Sequence, residues 1–136
     1  EEAAAVSSIG TKFKENSRLR TLKDLRFFTS MNDGTQQTCA YCPNLREVWI
    51  PQSMTYIDSW FSLGSPNLRT VVMCGNTPPA LSSSFMYIDT NYNYPKGLRI
   101  FVPDDTVATY KQRWANVSNG KTKIVNFVRP MSEYQG

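Results

Sequence analysis

The chain has 136 residues, of which 40% are hydrophobic, 12% aromatic and 19% charged; it carries a formal net charge of +4 and has no histidine. This length predicts a single small domain. The lack of histidine excludes Ser-His-Asp and Cys-His catalysis and nearly all zinc enzymes. The basic residues are dispersed, without a run of five, so we expect no nucleic-acid partner. No apolar run approaches the ~18 residues of a bilayer span, so we expect no transmembrane segment.

A repeated segment is the main feature of the chain. PNLREVWIP at positions 43–51 returns as PNLRTVVM at positions 66–73, a spacing of 66 − 43 = 23 residues, and returns in shorter form as LRIFVP at positions 98–103. A weaker copy, LRTLKDL, occupies positions 19–25. Repeats of this length predict units that cannot bury their apolar face alone and therefore stack on one another.

Each copy predicts one short strand with a buried face and an outward face, because side chains alternate along a strand. The predicted inward positions are Leu22, Leu45, Val48, Ile50, Leu68, Val71, Met73, Ile100 and Val102. The predicted outward positions form two rows: Thr21, Glu47, Thr70 and Arg99 in one, and Lys23, Trp49, Val72 and Phe101 in the other. An exposed Trp and Phe aligned across neighbouring strands would suit a protein or carbohydrate contact surface.

The residues after the last copy predict a helix and a final strand that close the end of the stack. Asp104 follows Pro103 and is expected to cap the helix, with Asp105 in its first turn. The apolar stripe of this helix would be Val107, Tyr110 and Trp114. The final strand is expected over Ile124 to Val128, ended by Pro130.

Three cysteines offer the main alternative chemistry. Cys39 and Cys42 form a C-x-x-C, which would fit half a zinc site or a redox pair, but only Cys74 remains as a further soft ligand. We favour a small buried residue for Cys42, in the slot that Ser65 fills one repeat later, and a loop thiol for Cys39. We therefore expect no metal and no cofactor, and in an exported protein two of the three cysteines could form a disulfide.

The segment PNLREVWIPQSMTYIDSWF resembles the repeat of BspA-like leucine-rich-repeat proteins of Bacteroidetes. The positions that carry this resemblance are Cys42, Leu45, Val48, Ile50, Pro51, Ser53, Thr55, Ile57 and Phe61. GLRIFVPDDTVATYKQ through RPMSEYQG looks like their C-terminal cap, and FKENSRLRTLKDLRFFTSM like their N-terminal unit. The chain departs from the pattern at Asp58, where Gly is usual, at Trp60-Phe61, where Ala-Phe is usual, and over positions 32–40.

The resemblance implies an α/β fold: a short leucine-rich-repeat solenoid, one domain over residues 1–136, with a helix-plus-strand cap. The approximate units would be 13–41, 42–64, 65–96 and 97–103, and the cap would be 104–136. It also implies a non-enzymatic recognition or adhesion module that is secreted or at the bacterial cell surface, with its export signal outside this segment. The expected partner is a protein or extracellular-matrix ligand, bound through the two outward rows.

Two alternatives stay open. A glycan-binding accessory domain would stack sugars on Trp49, on Phe101 and on the loop aromatics Tyr87, Tyr92 and Tyr94. A structural module would cap a longer repeat array and bind no ligand of its own. No convergent set of catalytic groups can be assembled from the sequence, so we expect no catalytic residues.

Overall fold

The computed structural model describes residues 15–23, 41–57, 65–81, 94–117 and 122–135. Within these ranges the protein has a mixed α/β structure with short parallel strands. The strands are β1 (Thr21–Leu22), β2 (Glu47–Ile50), β3 (Tyr56–Ile57), β4 (Thr70–Met73), β5 (Ala80–Leu81), β6 (Arg99–Val102) and β7 (Val128–Pro130). Among the described residues an α-helix, α1, spans Val107–Arg113, and 3-10 helices span Asp104–Thr106, Ile124–Phe127 and Met131–Glu133.

The larger described sheet has the strand order β1-β2-β4-β6-β7, and all of its pairings are parallel. Glu47 pairs with Thr70, and Thr70 pairs with Arg99. The register therefore sets equivalent positions of the sequence copies side by side, as their spacing predicts. A two-stranded parallel ladder joins β3 to β5, and the repeat pattern gave no indication of these two strands.

The inward positions of the repeat form the hydrophobic core, as predicted. Every one of them is buried: Leu22, Leu45, Val48, Ile50, Leu68, Val71, Met73, Ile100 and Val102. Full burial of a Val, Leu or Ile side chain contributes about 1.5–3 kcal/mol. This face is therefore fixed in place, and the opposite face of the sheet is the one turned away from the core.

The same turn leads into β2 and β4. The Leu45 N–H donates to the Cys42 carbonyl at 3.2 Å, and the Leu68 N–H donates to the Ser65 carbonyl at 3.4 Å. Cys42 and Ser65 are both fully buried, and the Cys42 N–H donates to Ser65 Oγ at 2.9 Å. The shared slot predicted for these two residues is confirmed.

Asparagine side chains join successive turns. The Nδ2 of Asn44 donates to the Ser17 carbonyl, and the Nδ2 of Asn67 donates to the Pro43 carbonyl, each at 2.6 Å. Because the two asparagines occupy the same place in the repeated PNLR, one contact recurs from unit to unit. These bonds fix the spacing of the turns that lead into the strands of the larger sheet.

The start of the helical segment differs from the expectation. A 3-10 turn, Asp104–Thr106, precedes α1; its N-cap residue is Pro103, and no side chain caps it. The Asp104 carboxylate instead accepts a hydrogen bond of 2.8 Å from the Ser132 N–H. The prediction that Asp104 is the N-cap is therefore wrong, because its side chain has a partner in the C-terminal segment.

The apolar stripe of the helix is largely as predicted. Tyr110 and Trp114 are buried, whereas Val107 is half-buried against the core. The Tyr110 hydroxyl donates to the Gly75 carbonyl at 2.6 Å, and Trp114 Nε1 donates to the Pro79 carbonyl at 2.9 Å. These two bonds hold α1 against the loop between β4 and β5.

The last strand lies further along the chain than predicted. Ile124–Phe127 is a 3-10 helix, and β7 begins at Val128 and includes Pro130. Proline is tolerated there because β7 lies at the edge of the described sheet, where a missing N–H breaks no ladder on the open side. The shift brings Arg129 into the strand, beside Phe101.

Candidate binding surface on the outer strand face

The outer strand face is the side of the larger sheet that is turned away from the core. It carries the two predicted rows: Thr21, Glu47, Thr70 and Arg99 in the first, and Lys23, Trp49, Val72 and Phe101 in the second. Pairing between strands confirms the adjacency of these positions, except for Lys23, which follows β1 directly. Arg129 extends the second row by one strand, since it pairs with Phe101.

The outer strand face is less open than predicted. Thr21, Lys23 and Arg99 are exposed, whereas Glu47, Trp49 and Thr70 are half-buried. Val72 and Phe101 are only 2% and 8% exposed, although neither belongs to the core cluster. The expectation that Phe101 is exposed is therefore wrong, and something other than the core must cover it.

Tyr134 is the residue that covers Phe101. Its ring meets the ring of Phe101 at a centroid distance of 5.5 Å and the ring of Trp49 at 5.8 Å, both edge to face. Edge-to-face pairs of this kind add about 0.5–1.5 kcal/mol beyond the burial of their area. The C-terminal segment, residues 131–135, is thus held on the outer strand face, and the Asp104–Ser132 hydrogen bond fixes its start.

Glu47 is the polar centre of this contact. Its Oε2 accepts hydrogen bonds from Trp49 Nε1 and from the Tyr134 hydroxyl, the latter at 2.8 Å, and Lys23 Nζ lies 3.6 Å away. The same lysine lies over the Trp49 ring, 5.6 Å from its centroid. We call these four residues, Lys23, Glu47, Trp49 and Tyr134, the Glu47 cluster.

The contacts of the Glu47 cluster lower the pKa of the Glu47 carboxyl group and raise the pKa of the Tyr134 phenol. Burial alone would raise the pKa of Glu47, but the hydrogen bonds from Trp49 and Tyr134, together with the Lys23 charge, outweigh it and hold the pKa below its ordinary value. The hydrogen bond to Glu47 is the main cause that raises the pKa of Tyr134. Near neutral pH the carboxylate is therefore ionised and the phenol keeps its proton, the pairing that the contact requires.

An open cleft lies beside Tyr134 on the same face. It has a volume of about 340 Å³ and is lined by Arg69, Thr70, Gly97, Arg99, Phe101, Arg129, Glu133, Tyr134 and Gln135. We call it the arginine cleft, because three of its lining residues are arginines and a single one, Glu133, is acidic. Of the predicted site residues, it brings together Thr70, Arg99 and Phe101.

The three arginines of the cleft are held by backbone carbonyls. Arg69 Nη1 donates to the Pro66 carbonyl at 2.9 Å, and Arg99 Nη1 donates to the Leu98 carbonyl at 2.8 Å. Arg129 Nη1 reaches two carbonyls, at 2.9 and 3.0 Å. Within the described residues none of the three forms a salt bridge, since the ion pair found there joins Lys23 to Glu47.

The loop aromatics that were predicted to stack on sugars do not form such a surface among the described residues. Tyr87 and Tyr92 lie outside the described residues, as does Cys39. Tyr94 packs against the core, and its ring meets Phe127 edge to face at 5.3 Å. This packing uses part of the Tyr94 ring within the fold and gives no support to the prediction that Tyr94 stacks on a ligand, which stays untested.

The described residues hold no group of three or more Cys, Asp or Glu side chains that could bind a metal ion. Cys74 is exposed, and partial desolvation raises the pKa of its thiol. A raised pKa keeps the thiol protonated and weakens it as a nucleophile.

Of the helices in the described ranges, none has the length and apolar character needed to cross a bilayer.

Sequence reasoning missed three residues of this surface: Tyr134, Arg69 and Arg129. Arg69 had a visible signal, because Arg46 and Arg69 recur at the same place in PNLR. Arg129 was missed because the last strand was placed too early. Tyr134 had no local signal, since its partner Glu47 is 87 residues away.

In comparisons with known proteins, no protein-family model matches the chain and no curated protein sequence is significantly similar to it. A function for the chain must therefore be inferred from the geometry of its own residues.

Proposed function

We propose that this chain is a non-enzymatic recognition module of the BspA-like leucine-rich-repeat type, which binds a protein or extracellular-matrix ligand through its outer strand face. The resemblance of the repeat supports this proposal, and so does the parallel register that aligns its copies. An exported or cell-surface location in a bacterium, and a solenoid arrangement of the units, are parts of the same proposal.

The observation that carries the proposal is the composition of the outer strand face. Exposed Thr21 and Arg99 lie on strands whose opposite face is locked into the core, and exposed Lys23 directly follows β1, so the face is rigid and its polar groups project outward. The arginine cleft adds a concave site on the same face. Concave sites with a few convergent polar groups are where ligands preferentially bind.

A structural role as a terminal cap is the second candidate. It is favoured by β7, an edge strand that includes Pro130, together with α1, which packs across the loop between β4 and β5. A proline in an edge strand hinders the addition of a further strand. The glycan-binding alternative has less support, because Phe101 is buried and Tyr94 packs on Phe127.

Binding of the purified chain to immobilised matrix proteins and to a glycan array tests the proposal. The diagnostic variants are Lys23→Glu and Arg99→Glu, which reverse exposed charges at two places on the outer strand face. Lys111→Glu and Arg113→Glu make the same changes on exposed positions of α1. We expect saturable binding to a protein ligand that weakens at least tenfold with a face variant and less than twofold with its helix control.

Each alternative predicts a different result in this experiment. Failure of every panel member to bind would favour the structural cap. Binding confined to the glycan array would favour the accessory role in polysaccharide capture. Equal losses in the face and helix variants would contradict a ligand site on the outer strand face, provided that circular dichroism shows all four variants to be folded.

A further inference from the structure

The arginine cleft has positive charge that its own surroundings do not neutralise. Arg69, Arg99 and Arg129 line it together with a single carboxylate, that of Glu133. Within the described residues none of these arginines forms a salt bridge. A concave surface lined by one sign of charge concentrates ligands of the opposite sign.

The guanidinium groups are also preorganised. Each arginine donates through Nη1 to at least one backbone carbonyl, which restrains the side chain while its remaining donors have no hydrogen-bond partner among the described residues. A guanidinium presents its donors in a planar fork that matches a carboxylate. Because the side chain is already restrained, less conformational entropy is lost when a ligand binds.

Arg99 and Arg129 lie close enough for one extended peptide to reach both. Arg129 pairs with Phe101, so Arg99 lies one strand across and two residues back along the strand. Neighbouring strands lie about 4.8 Å apart and two residues rise about 6.6 Å, which combine to a backbone separation of about 8 Å. Alternate side chains of an extended peptide point the same way and are about 6.6 Å apart. The remaining difference of about 2 Å is small beside the length of the Arg and Glu side chains, so two acidic side chains of one peptide can reach both arginines.

The aromatic side chains of the cleft do not suit a sugar ring. Phe101 is 8% exposed, and Tyr134 uses its ring against both Phe101 and Trp49. A sugar that stacks needs an open aromatic face, which the buried Phe101 does not offer and which Tyr134, half-buried in two ring contacts, offers only in part. Carboxylates on a polypeptide are the ligand chemistry that the cleft fits.

We propose that the arginine cleft binds an acidic peptide segment of the partner protein, with Arg99 and Arg129 each pairing with a carboxylate and Arg69 adding charge at the rim. This inference rests on the proposed function, since it names the part of a protein ligand that the outer strand face recognises. Thr70 and Gly97, which also line the cleft, form the surface on which the peptide backbone lies.

Fluorescence anisotropy of the full chain with a labelled hexamer of glutamate tests this proposal, with a hexamer of glutamine as the uncharged probe. The diagnostic variant is Arg99→Gln/Arg129→Gln. The control, Arg18→Gln/Arg113→Gln, removes the same charge at exposed positions that do not line the cleft. We expect binding of the glutamate peptide alone, weakened at least tenfold in the cleft variant and less than twofold in the control.

The single variant Arg99→Gln keeps the test valid if loss of the Arg129 contacts disturbs folding, because Arg99 is exposed. It should weaken binding at least threefold. Absence of glutamate-peptide binding to the unmodified chain, or equal weakening in the cleft and control variants, would overturn the proposal. A heparin hexasaccharide that displaces the peptide at lower concentration, with the same dependence on Arg99, would overturn it in favour of a sulfated glycan.

These results are separable from the test of the proposed function. If a matrix protein binds and the face variants weaken it, but the glutamate hexamer does not bind, the recognition role stands and the acidic-peptide inference fails. If the glutamate hexamer binds through Arg99 and no matrix protein binds, the cleft is an anion-binding site and the proposal of a matrix-protein ligand is wrong.

Discussion

The Tyr134 hydroxyl donates a hydrogen bond of 2.8 Å to the Glu47 carboxylate, which links the C-terminal segment to β2 across 87 residues of sequence. The same carboxylate accepts from Trp49 and lies 3.6 Å from Lys23. Tyr134 therefore closes part of the outer strand face while the arginine cleft beside it stays open. The C-terminal segment thereby sets which part of that face a ligand can reach.

Replacing Tyr134 by phenylalanine should separate the hydrogen bond from the ring contacts. Tyr134→Phe keeps a ring against Trp49 and Phe101 but removes the donor to Glu47, so we expect the free energy of unfolding to fall by about 1 kcal/mol. Tyr134→Ala also uncovers Phe101 and should cost about 2 kcal/mol or more. Chemical denaturation measures both losses.

Tyr41→Phe is the matched control, because Tyr41 is 45% exposed. It should change the free energy of unfolding by less than about 0.5 kcal/mol. If Tyr134→Phe were as neutral as this control, the bond to Glu47 would contribute nothing to stability.

Stability should depend on the ionisation of Glu47 in acid. Its pKa is lowered in the folded protein, so its contribution is fully present above the unfolded value of about 4.3 and is lost as the pH falls through the folded value. Glu47→Gln cannot titrate, so its difference in thermal midpoint from the unmodified chain should shrink between about pH 5 and pH 3. Thermal melts over this range measure the difference.

Glu15→Gln is the control for the acid series, because Glu15 is exposed, lies in no described helix and is not part of the Glu47 cluster. Its difference in midpoint should stay near zero across the same range. A Glu47→Gln difference that is constant from pH 7 to pH 3 would show that the carboxylate charge does not matter to the cluster.

Tyr134 should make the opposite contribution in alkali. Its pKa is raised in the folded protein, chiefly by the hydrogen bond to Glu47, so its contribution is present below the unfolded value of about 10 and is lost as the pH rises through the folded value. Burial also raises the pKa of Tyr110, so ultraviolet titration of tyrosinate absorbance should show more than one late-titrating phenol, and Tyr134→Phe should remove one of these. Loss of absorbance from the early-titrating phenols instead would contradict the Tyr134–Glu47 contact.

The rows of the outer strand face followed from the sequence because they depend on local rules. Alternation of side chains assigned Glu47 and Trp49 to the outside, and the repeat spacing aligned them with Thr70 and Val72; the pairing of β2 with β4 confirms this register. The direction in which a side chain points does not, however, determine how exposed that side chain is. Val72 and Phe101 point away from the core and are still buried.

The remaining features depended on contacts that leave no periodic pattern. Tyr134 reaches Glu47 through the fold, and nothing near Tyr134 in the sequence marks it for that contact. The sequence placed the last strand over Ile124 to Val128, which left Arg129 outside it. In the structure β7 starts at Val128, so Arg129 belongs to the strand and to the second outward row. Asp104 had the local features of a cap, but a distant backbone N–H, that of Ser132, took its carboxylate.

The recurring asparagine should stabilise the turns between units. Asn67→Ala removes the 2.6 Å bond to the Pro43 carbonyl, so we expect a loss of about 0.5–1.5 kcal/mol in the free energy of unfolding. Asn67→Asp should be at least as harmful, because a carboxylate cannot donate to that carbonyl. Urea denaturation provides the comparison.

Asn76→Ala is the control for this series, since Asn76 is exposed in the loop after β4 and makes no hydrogen bond to a described residue. It should be near neutral. A loss in Asn76→Ala that equals that of Asn67→Ala would mean that the turn contact is not the cause.

Replacing Gly75 by alanine should lower the stability of the protein, although the same replacement stabilises many loops. Glycine to alanine at a permissive site adds about 0.4–1 kcal/mol by restricting the unfolded chain. At Gly75 a Cβ would lie 3.0 Å from Gln52 Cα and 3.1 Å from Gln52 Cβ, and the Gly75 carbonyl is held by Tyr110. A backbone atom cannot yield as a flexible side chain does, so we expect Gly75→Ala to cost about 1–3 kcal/mol.

The background variant Gln52→Gly tests the cause of this cost. It removes the contact with Cβ but leaves the closer contact with Cα, so Gly75→Ala should still destabilise the protein, by a smaller amount, when both changes are present. The measurement is a double-mutant cycle by urea denaturation. A neutral or stabilising Gly75→Ala would show that the loops after β2 and β4 do not approach so closely, and full rescue by Gln52→Gly would assign the clash to the side chain alone.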